Sequence, residues 1–192
     1  MIKPLAIALL IAACSKDKGT PASDGKPSAP IDVGAVNALV PAPLKDKLTF
    51  EKREIHLDQG KHSPTFTVAA PKGWEQRSKM FGNLEGKFGE KFSVGVNCNG
   101  ECKEKNWEQE SDKSDFQPLA KGKISKDEKK PGQRTMISEI DLGGMHTTVI
   151  VRSWWTDGEK QYHFCRAELD DEIKDAAPAF EKACSNVTVV ED

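Results

Sequence analysis

The stretch MHTTVIVRSWWTDGEKQYHFCRAEL, residues 145–169, decides the fold class. Its first part, residues 145–155, is rich in β-branched and aromatic residues, and residues 160–168 form a second strand-like segment. Between them lies Asp157-Gly158, a dipeptide typical of tight β-hairpin turns. The stretch therefore predicts two consecutive antiparallel strands.

Strand patterns continue on both sides of this hairpin. Residues 134–142 place alternate apolar or small side chains on one face, and Gly143-Gly144 separates them from the hairpin. Residues 185–190 are predicted to return as a last strand. Four earlier segments, broken by Gly, Pro or Asn, are also predicted to be short strands: residues 48–57, 65–70, 80–87 and 91–97.

Two helices are predicted among the strands. Residues 103–115 are highly charged, with Trp107 as an interior anchor. In the second helix, apolar residues recur by steps of four and three along one face: Leu169, Ile173, Ala176, Phe180 and Cys184. Pro178 is expected either to kink this helix or to begin a second helical turn. The sequence thus predicts an α+β fold, an antiparallel sheet with one or two packed helices, preceded by a disordered linker.

The first residues have the features of an export signal. Lys3 is the only charge before an apolar run over residues 5–13, which is too short to span a membrane. The tetrapeptide Ile11-Ala12-Ala13-Cys14 resembles the lipobox of bacterial lipoproteins. The resemblance implies that residues 1–13 are removed as a signal peptide and that lipid on Cys14 holds the protein at a membrane.

The residue after the expected lipidation site bears on the choice of membrane. Lipoproteins kept in the inner membrane usually have Asp at this position, whereas this chain has Ser15. In a Gram-negative cell the resemblance therefore implies the outer membrane. The chain has 28 basic and 30 acidic residues, interleaved throughout, which argues against a nucleic-acid partner.

Residues 14–47 have the composition of a linker. They are rich in Pro, Ala, Ser, Gly and Lys and carry little apolar area to offset the entropy of ordering. We expect a flexible tether between lipid and domain. An apolar patch at residues 31–40 is compatible with a transient helix, but plain linker is the expectation. Residues 48–192 have about the size of a single domain.

Four cysteines remain in the predicted domain: Cys98, Cys102, Cys165 and Cys184. An even number in an exported domain indicates a disulfide framework, for which three pairings are possible. We expect a local Cys98–Cys102 clip and a Cys165–Cys184 bridge, because a helix folded back over its own strand would bring the second pair together. Pairing between the two halves stays open.

The segment FTVAAPKGW, residues 66–74, combines a strand with a Pro-x-Gly-Trp turn. Together with the amphipathic helix and strand at the end of the chain, this order of elements resembles the PsbP-like sandwich. The resemblance implies an antiparallel sheet with helices packed on it, in a non-catalytic scaffold used in protein assemblies. It carries no functional residues over to this chain.

Two thiols at Cys98 and Cys102 are close enough in sequence to bind a soft metal or to cycle as a dithiol. However, Lys103 stands where haem attachment would require His, and Asn106 where similar dinuclear copper sites would require His. A structural disulfide is therefore the expectation.

A second possible metal site combines His163 and Cys165, which share a strand face, with Cys184 nearby. A zinc site needs about four ligands. A core disulfide beside a half-buried His explains the same positions and is the expected arrangement.

The remaining candidates are polar or aromatic side chains on the predicted strands. Glu139 and Asp141 share one face and are imaginable as a carboxylate pair, but the apolar opposite face indicates that they are solvent-exposed. Trp154 and Trp155 lie on opposite faces of a regular strand, so one should enter the core and the other offer a partner-binding surface.

These observations favour a lipid-anchored, disulfide-stabilised envelope protein that binds or assembles with another envelope protein. The sequence contains no Gly-rich phosphate loop, serine nucleophile elbow or metalloprotease helix, so we expect neither catalysis nor a cofactor. The alternative is a redox or metal-handling lipoprotein that uses Cys98 and Cys102, or His163 and Cys165.

Overall fold

A computed structural model describes residues 30–59, 63–80, 82–87, 89–97, 104–156 and 161–190. Several sequence predictions lie outside these residues: the signal peptide, Cys14, the linker before residue 30, Cys98, Cys102 and the Asp157-Gly158 turn.

The described part of the chain has ten strands and three α-helices. The strands are β1 Phe50–His56, β2 Thr65–Pro71, β3 Glu75–Gln76, β4 Gly82–Glu85, β5 Lys91–Val96, β6 Lys123–Lys130, β7 Gln133–Leu142, β8 Met145–Thr156, β9 Gln161–Leu169 and β10 Thr188–Val190. The helices are α1 Val33–Ala38, α2 Glu104–Ser111 and α3 Ala177–Ser185. A π-helical turn, Asp112–Phe116, continues α2. Within these residues, no helix is both long enough and apolar enough to cross a membrane.

The strands form two antiparallel sheets. The larger sheet has the order β3-β4-β5-β9-β8-β7-β6, and the smaller has the order β1-β2-β10. Strands β8 and β9 pair from Thr148–Leu169 to Thr156–Gln161, as the sequence predicts for this hairpin. The α+β prediction is confirmed.

The larger sheet is buried on both faces along its middle strands. Ile150 faces the main core, which lies between this sheet, the smaller sheet and α3. Val149 and Val151 face a second apolar cluster, where Phe116 and Leu119 cover the sheet. Burial on both faces explains the unbroken β-branched run in β8, since a strand with one solvent-facing side would alternate with polar residues.

Helix α3 begins later than its apolar spacing predicts. The side chain of Asp170 accepts hydrogen bonds from the backbone N–H groups of Glu172 and Ile173, and so turns the chain after β9. A 3₁₀ turn over residues 174–176 follows, and the α-helix then starts with Pro178 in its first turn. Proline costs little there because its missing N–H would have no helical partner. Of the two roles expected for Pro178, it therefore begins a helical turn and does not kink a longer helix.

The flexible-linker prediction for residues 14–47 is wrong from residue 31 onward. Asp32 caps α1 by accepting a 2.9 Å hydrogen bond from the Ala35 N–H. Val36, Val40 and Leu44 are buried in the main core. These apolar residues recur every four positions, a spacing typical of a buried face. The average composition of the segment does not reveal it, because prolines and polar residues surround them. The folded domain therefore starts near residue 31 and not at residue 48.

We predict that Val36→Ala destabilises the protein by about 2 kcal/mol, because it removes buried methyl groups and leaves a cavity. Leu39→Ala, at the carboxyl-terminal cap of the same helix, is the matched control, since Leu39 is 43 % exposed and should change stability by less than about 0.5 kcal/mol. Urea unfolding measures both. Equal, small effects would contradict the packing of α1 on the domain.

Candidate functional site

A disulfide between Cys165 and Cys184 joins β9 to the last turns of α3. The two Cα atoms are 5.4 Å apart, and both residues are fully buried. This is the pairing expected from the sequence. A loop of this length stabilises by about 3 kcal/mol in the chain-entropy model.

Arg152 secures the same end of α3. Its guanidinium donates hydrogen bonds to the carbonyl oxygens of Cys184 at 2.9 Å and Ser185 at 3.3 Å, and it lies 4.6 Å from the centre of the Trp154 ring. These carbonyls are among the last four of the helix, which have no partner within it. Burial lowers the pKa of Arg152 from its ordinary value. The side chain thus satisfies the helix end that carries the disulfide.

His163 lies on the same face of β9 as Cys165, as predicted, but is fully rather than half buried. Its ring packs against Phe66 and Trp154, with centroid distances of 5.8 and 5.5 Å. Burial lowers its pKa to about 4, so the ring is neutral near pH 7. It is a packed core residue.

The metal site imagined from His163 and Cys165 does not form. The sulfur atoms of Cys165 and Cys184 are bonded to each other, so neither is a thiolate ligand. Among the described residues, no group of three or more His, Cys, Asp or Glu side chains is placed to hold a metal. The Cys98 and Cys102 alternative lies outside the described residues.

Trp154 and Trp155 lie on opposite faces of β8, opposite His163 and Tyr162 of β9 respectively. Trp154 is half buried and packs against the main core, as expected of one of the pair. Trp155 is also half buried. The part of either ring in partner binding stays a prediction.

Glu139 and Asp141 flank the ring of His146, at 3.9 and 3.7 Å. The Asp141 side chain is 82 % exposed, and Glu139 also bonds Lys123 at 3.1 Å. Solvent exposure, the expected reading of Asp141, is confirmed, and Glu139 is engaged in a surface ion pair.

A cleft of about 810 Å³ lies beside β5 and β9. Phe164 and Arg166 of β9 line it, and they alternate along that strand with the core residue Cys165. Ser114 and Asp115, in the π-helical turn after α2, form another part of its wall. The cleft therefore adjoins the sheet face opposite the main core.

Asp115 is the unusual charge in this cleft. Only 9 % of the residue is exposed, and its Oδ1 accepts hydrogen bonds from Asn97 Nδ2 at 3.2 Å and from Ser114 Oγ at 3.0 Å. Its Oδ2 is covered and has no hydrogen-bond partner among the described residues. Burial raises the pKa of Asp115 to about 6, although the Ser114 bond, the charge of Arg166 and the Asn97 bond lower it.

Tyr162 adjoins this carboxyl from β9 and is 5 % exposed. Burial raises its pKa to about 12; a hydrogen bond with Ser114 lowers it, and the charges of Asp115 and Glu110 raise it further. The phenol is therefore neutral at physiological pH and does not act as a base.

Arg166 supplies the opposite charge. Its Nε donates a 2.7 Å hydrogen bond to Glu168, whose carboxylate lies 3.7 Å from Lys91 Nζ. Within the described residues, the two terminal amino groups of Arg166 have no hydrogen-bond partner, and Arg166 forms no ion pair with Asp115. The cleft thus holds two opposite charges that are not paired with each other.

Phe164 lies over Gly95 of the neighbouring strand. A Cβ atom at position 95 would come within 2.8 Å of the Phe164 ring, so glycine allows this close approach. The Phe164 ring is half buried and forms an apolar part of the cleft wall on β9.

No local sequence pattern marks Asp115, Asn97 or Arg166 as site residues. Asp115 and Asn97 lie in polar stretches that resemble solvent-exposed surface, and Arg166 is a single charge on a predicted strand, as is common on a solvent-facing side. The apolar pair Phe116 and Leu119 was the available signal that the turn containing Asp115 packs on the sheet.

The chain matches no protein-family model and no curated protein. The cleft is therefore interpreted from its own chemistry.

We predict that replacing both Cys165 and Cys184 by Ala destabilises the domain by about 2–4 kcal/mol. The bridge fastens α3 to β9. Without it, the unfolded chain has more conformational freedom, and folding costs more entropy. Denaturant unfolding measures the change. The Cys98→Ala/Cys102→Ala pair is the control, and a larger loss in that control than in the test pair would contradict the assignment.

Asp115 gives a prediction on pH. Its pKa rises from 3.8 to about 6 on folding, so the folded state binds the proton more tightly. The resulting stabilisation is present below about pH 4 and is lost as the pH rises through 6, by up to about 3 kcal/mol at 1.36 kcal/mol per pKa unit.

The wild-type pH profile also contains the opposite contribution of His163, whose lowered pKa makes stability rise with pH over the same range. The comparison is therefore made against Asp115→Asn at each pH, where the His163 contribution cancels. Relative to the wild type, Asp115→Asn should gain unfolding free energy as the pH rises from 4 to 7, as measured by urea unfolding. The exposed Asp141→Asn serves as control and should keep the wild-type pH profile. A difference between the wild type and Asp115→Asn that does not change with pH would contradict the burial of a titrating carboxyl.

Proposed function

We propose that this protein is a lipid-anchored, disulfide-stabilised binding or assembly module of the bacterial cell envelope, without catalytic activity. The observation that carries the proposal is the buried Cys165–Cys184 bridge. Stable disulfides form in oxidising compartments such as the periplasm and are rare in the cytosol. A bridge in the core, between a strand and the helix that covers it, suits a domain that folds after export.

The lipobox-like residues 11–14 supply the route of export and the anchor. Lipid on Cys14 would leave residues 15–30 between the membrane and the folded domain. At no more than about 3.6 Å per residue, this segment reaches no further than about 58 Å. Because α1 belongs to the domain, the tether is about half the length expected from composition, and the domain stays close to the membrane.

The cleft supports a binding role. Its volume of about 810 Å³ is within the range of ligand sites, roughly 300–1,000 Å³. Its described lining contains no His, Cys or Lys, side chains that often serve as catalytic bases or nucleophiles. Among the described residues, Asp115 accepts hydrogen bonds from the neutral side chains of Asn97 and Ser114, and the Ser114 hydroxyl also lies 2.9 Å from the Glu110 carbonyl.

The resemblance to the PsbP-like sandwich favours the same role. Proteins of that kind are scaffolds in assemblies, and the antiparallel sheets with packed helices observed here suit such a scaffold. We therefore propose that the partner is another envelope component, met at the outer membrane because Ser15 lacks the inner-membrane retention signal.

The test is the fate of Cys14. Mass spectrometry of wild-type protein from membranes should find residues 1–13 removed and a diacylglyceryl group on Cys14, whereas Cys14→Ala should be unlipidated and uncleaved at this site. Ser15→Asp is the matched variant, and it should keep the lipid but shift the protein to the inner membrane. An unmodified amino terminus on the membrane-bound wild type would refute the proposal.

A further inference from the structure

Arg166 and Asp115 line one cleft with opposite charges that do not meet. Opposite charges that line one cleft can form an ion pair, which would satisfy both. Here Arg166 turns its Nε to Glu168, and Asp115 turns its Oδ1 to Asn97 and Ser114. Among the described residues, the terminal amino groups of Arg166 and the Oδ2 atom of Asp115 are therefore still able to bind a further partner.

Arg166 offers hydrogen-bond donors with a positive charge, whereas Asp115 offers an acceptor with a negative charge. Arg166 offers two terminal amino groups in a planar fork, the geometry that binds a carboxylate by two parallel hydrogen bonds. Asp115 has a second oxygen without a donor, and a buried acceptor of this kind costs free energy until a donor reaches it. The exposed Asp58, also in the lining, adds negative charge.

The surface between them is apolar. Phe164 precedes Arg166 by two residues on the same strand face, and Val151, which pairs with Arg166 from β8, also lines the cleft. A ligand with a charge at each end and hydrocarbon between would therefore meet a matching surface along its length. An anion alone would leave Asp115 without a donor, and a cation alone would meet the charge of Arg166.

We propose that the cleft binds a small zwitterion, an amino acid or short peptide, with its carboxylate on Arg166, its ammonium on Asp115 and its apolar body against Phe164. Because Oδ2 is covered, the Asp115 carboxylate rotates slightly to reach the ammonium. The inference rests on the binding role proposed above and names the ligand class, but it does not depend on the lipid anchor.

Isothermal titration calorimetry on the full chain, as recovered from the producing cell, tests the ligand class. The zwitterionic probes are 5-aminopentanoate and the dipeptide Leu-Leu, which separate a free amino acid from a peptide as the source. Pentanoate and pentylamine are the matched single-charge probes. We expect at least one zwitterion to bind with Kd of about 1 mM or tighter, and each single-charge probe to bind about tenfold more weakly or worse.

Two variants test the assigned contacts. Arg166→Gln should abolish the advantage of 5-aminopentanoate over pentylamine, and Asp115→Asn should abolish its advantage over pentanoate. Arg77→Gln is the control outside the cleft, since Arg77 pairs with Glu85 at the surface, and it should bind like the wild type. Circular dichroism checks that each variant is folded. Arg166→Lys keeps the positive charge but loses the planar fork, so it should bind 5-aminopentanoate with an affinity between those of the wild type and Arg166→Gln.

Equal binding of zwitterions and single-charge probes, or no binding of either zwitterion, would overturn the inference. If wild type then captured an envelope protein and Arg166→Gln did not, the binding module would stand and only the ligand class would be wrong. If neither a zwitterion nor a protein partner depended on Arg166 and Asp115, the cleft would lose its part in the proposed function as well.

Discussion

The attachment of α3 to both sheets is the constraint on which the rest of the structure depends. Phe180 in this helix contacts Phe50 of the smaller sheet at 5.0 Å and Phe92 of the larger sheet at 6.2 Å, measured between ring centroids. Cys184 links α3 covalently to β9, and the amino-terminal helix α1 packs against α3. Without α3, the two sheets and α1 would lose their shared core.

The larger sheet has two faces with different tasks. One face carries the main core and the disulfide, whereas the other is covered along β7 and β8 by the segment that contains α2 and the π-helical turn. The cleft lies where the end of this turn meets β5 and β9. Rigid strands therefore hold Phe164 and Arg166, while the turn holds Asp115, and a bound molecule would contact both elements.

Local patterns predicted much of the fold. The β8–β9 hairpin, the strand near residues 134–142, the buried anchor Trp107 and the Cys165–Cys184 pairing all follow from residue type and spacing. Strand β6 was missed because its sequence, KISKDEKK, is almost entirely charged and does not alternate. Such charge is typical of an edge strand, where it discourages pairing with other chains.

The features that the sequence did not predict depend on distant contacts. The burial of Val36 requires α3, which is more than 130 residues away in the chain. The raised pKa of Asp115 likewise comes from burial in a turn packed against β9, so no local pattern marks it. The central claim, that the β9–α3 bridge holds the domain together, is tested most directly by mapping disulfides in unreduced protein recovered from the producing cell. Trypsin should release residues 161–166 joined through Cys165 to residues 183–192 through Cys184; free thiols at these positions, or a link to the peptide that contains Cys98 and Cys102, would contradict the account.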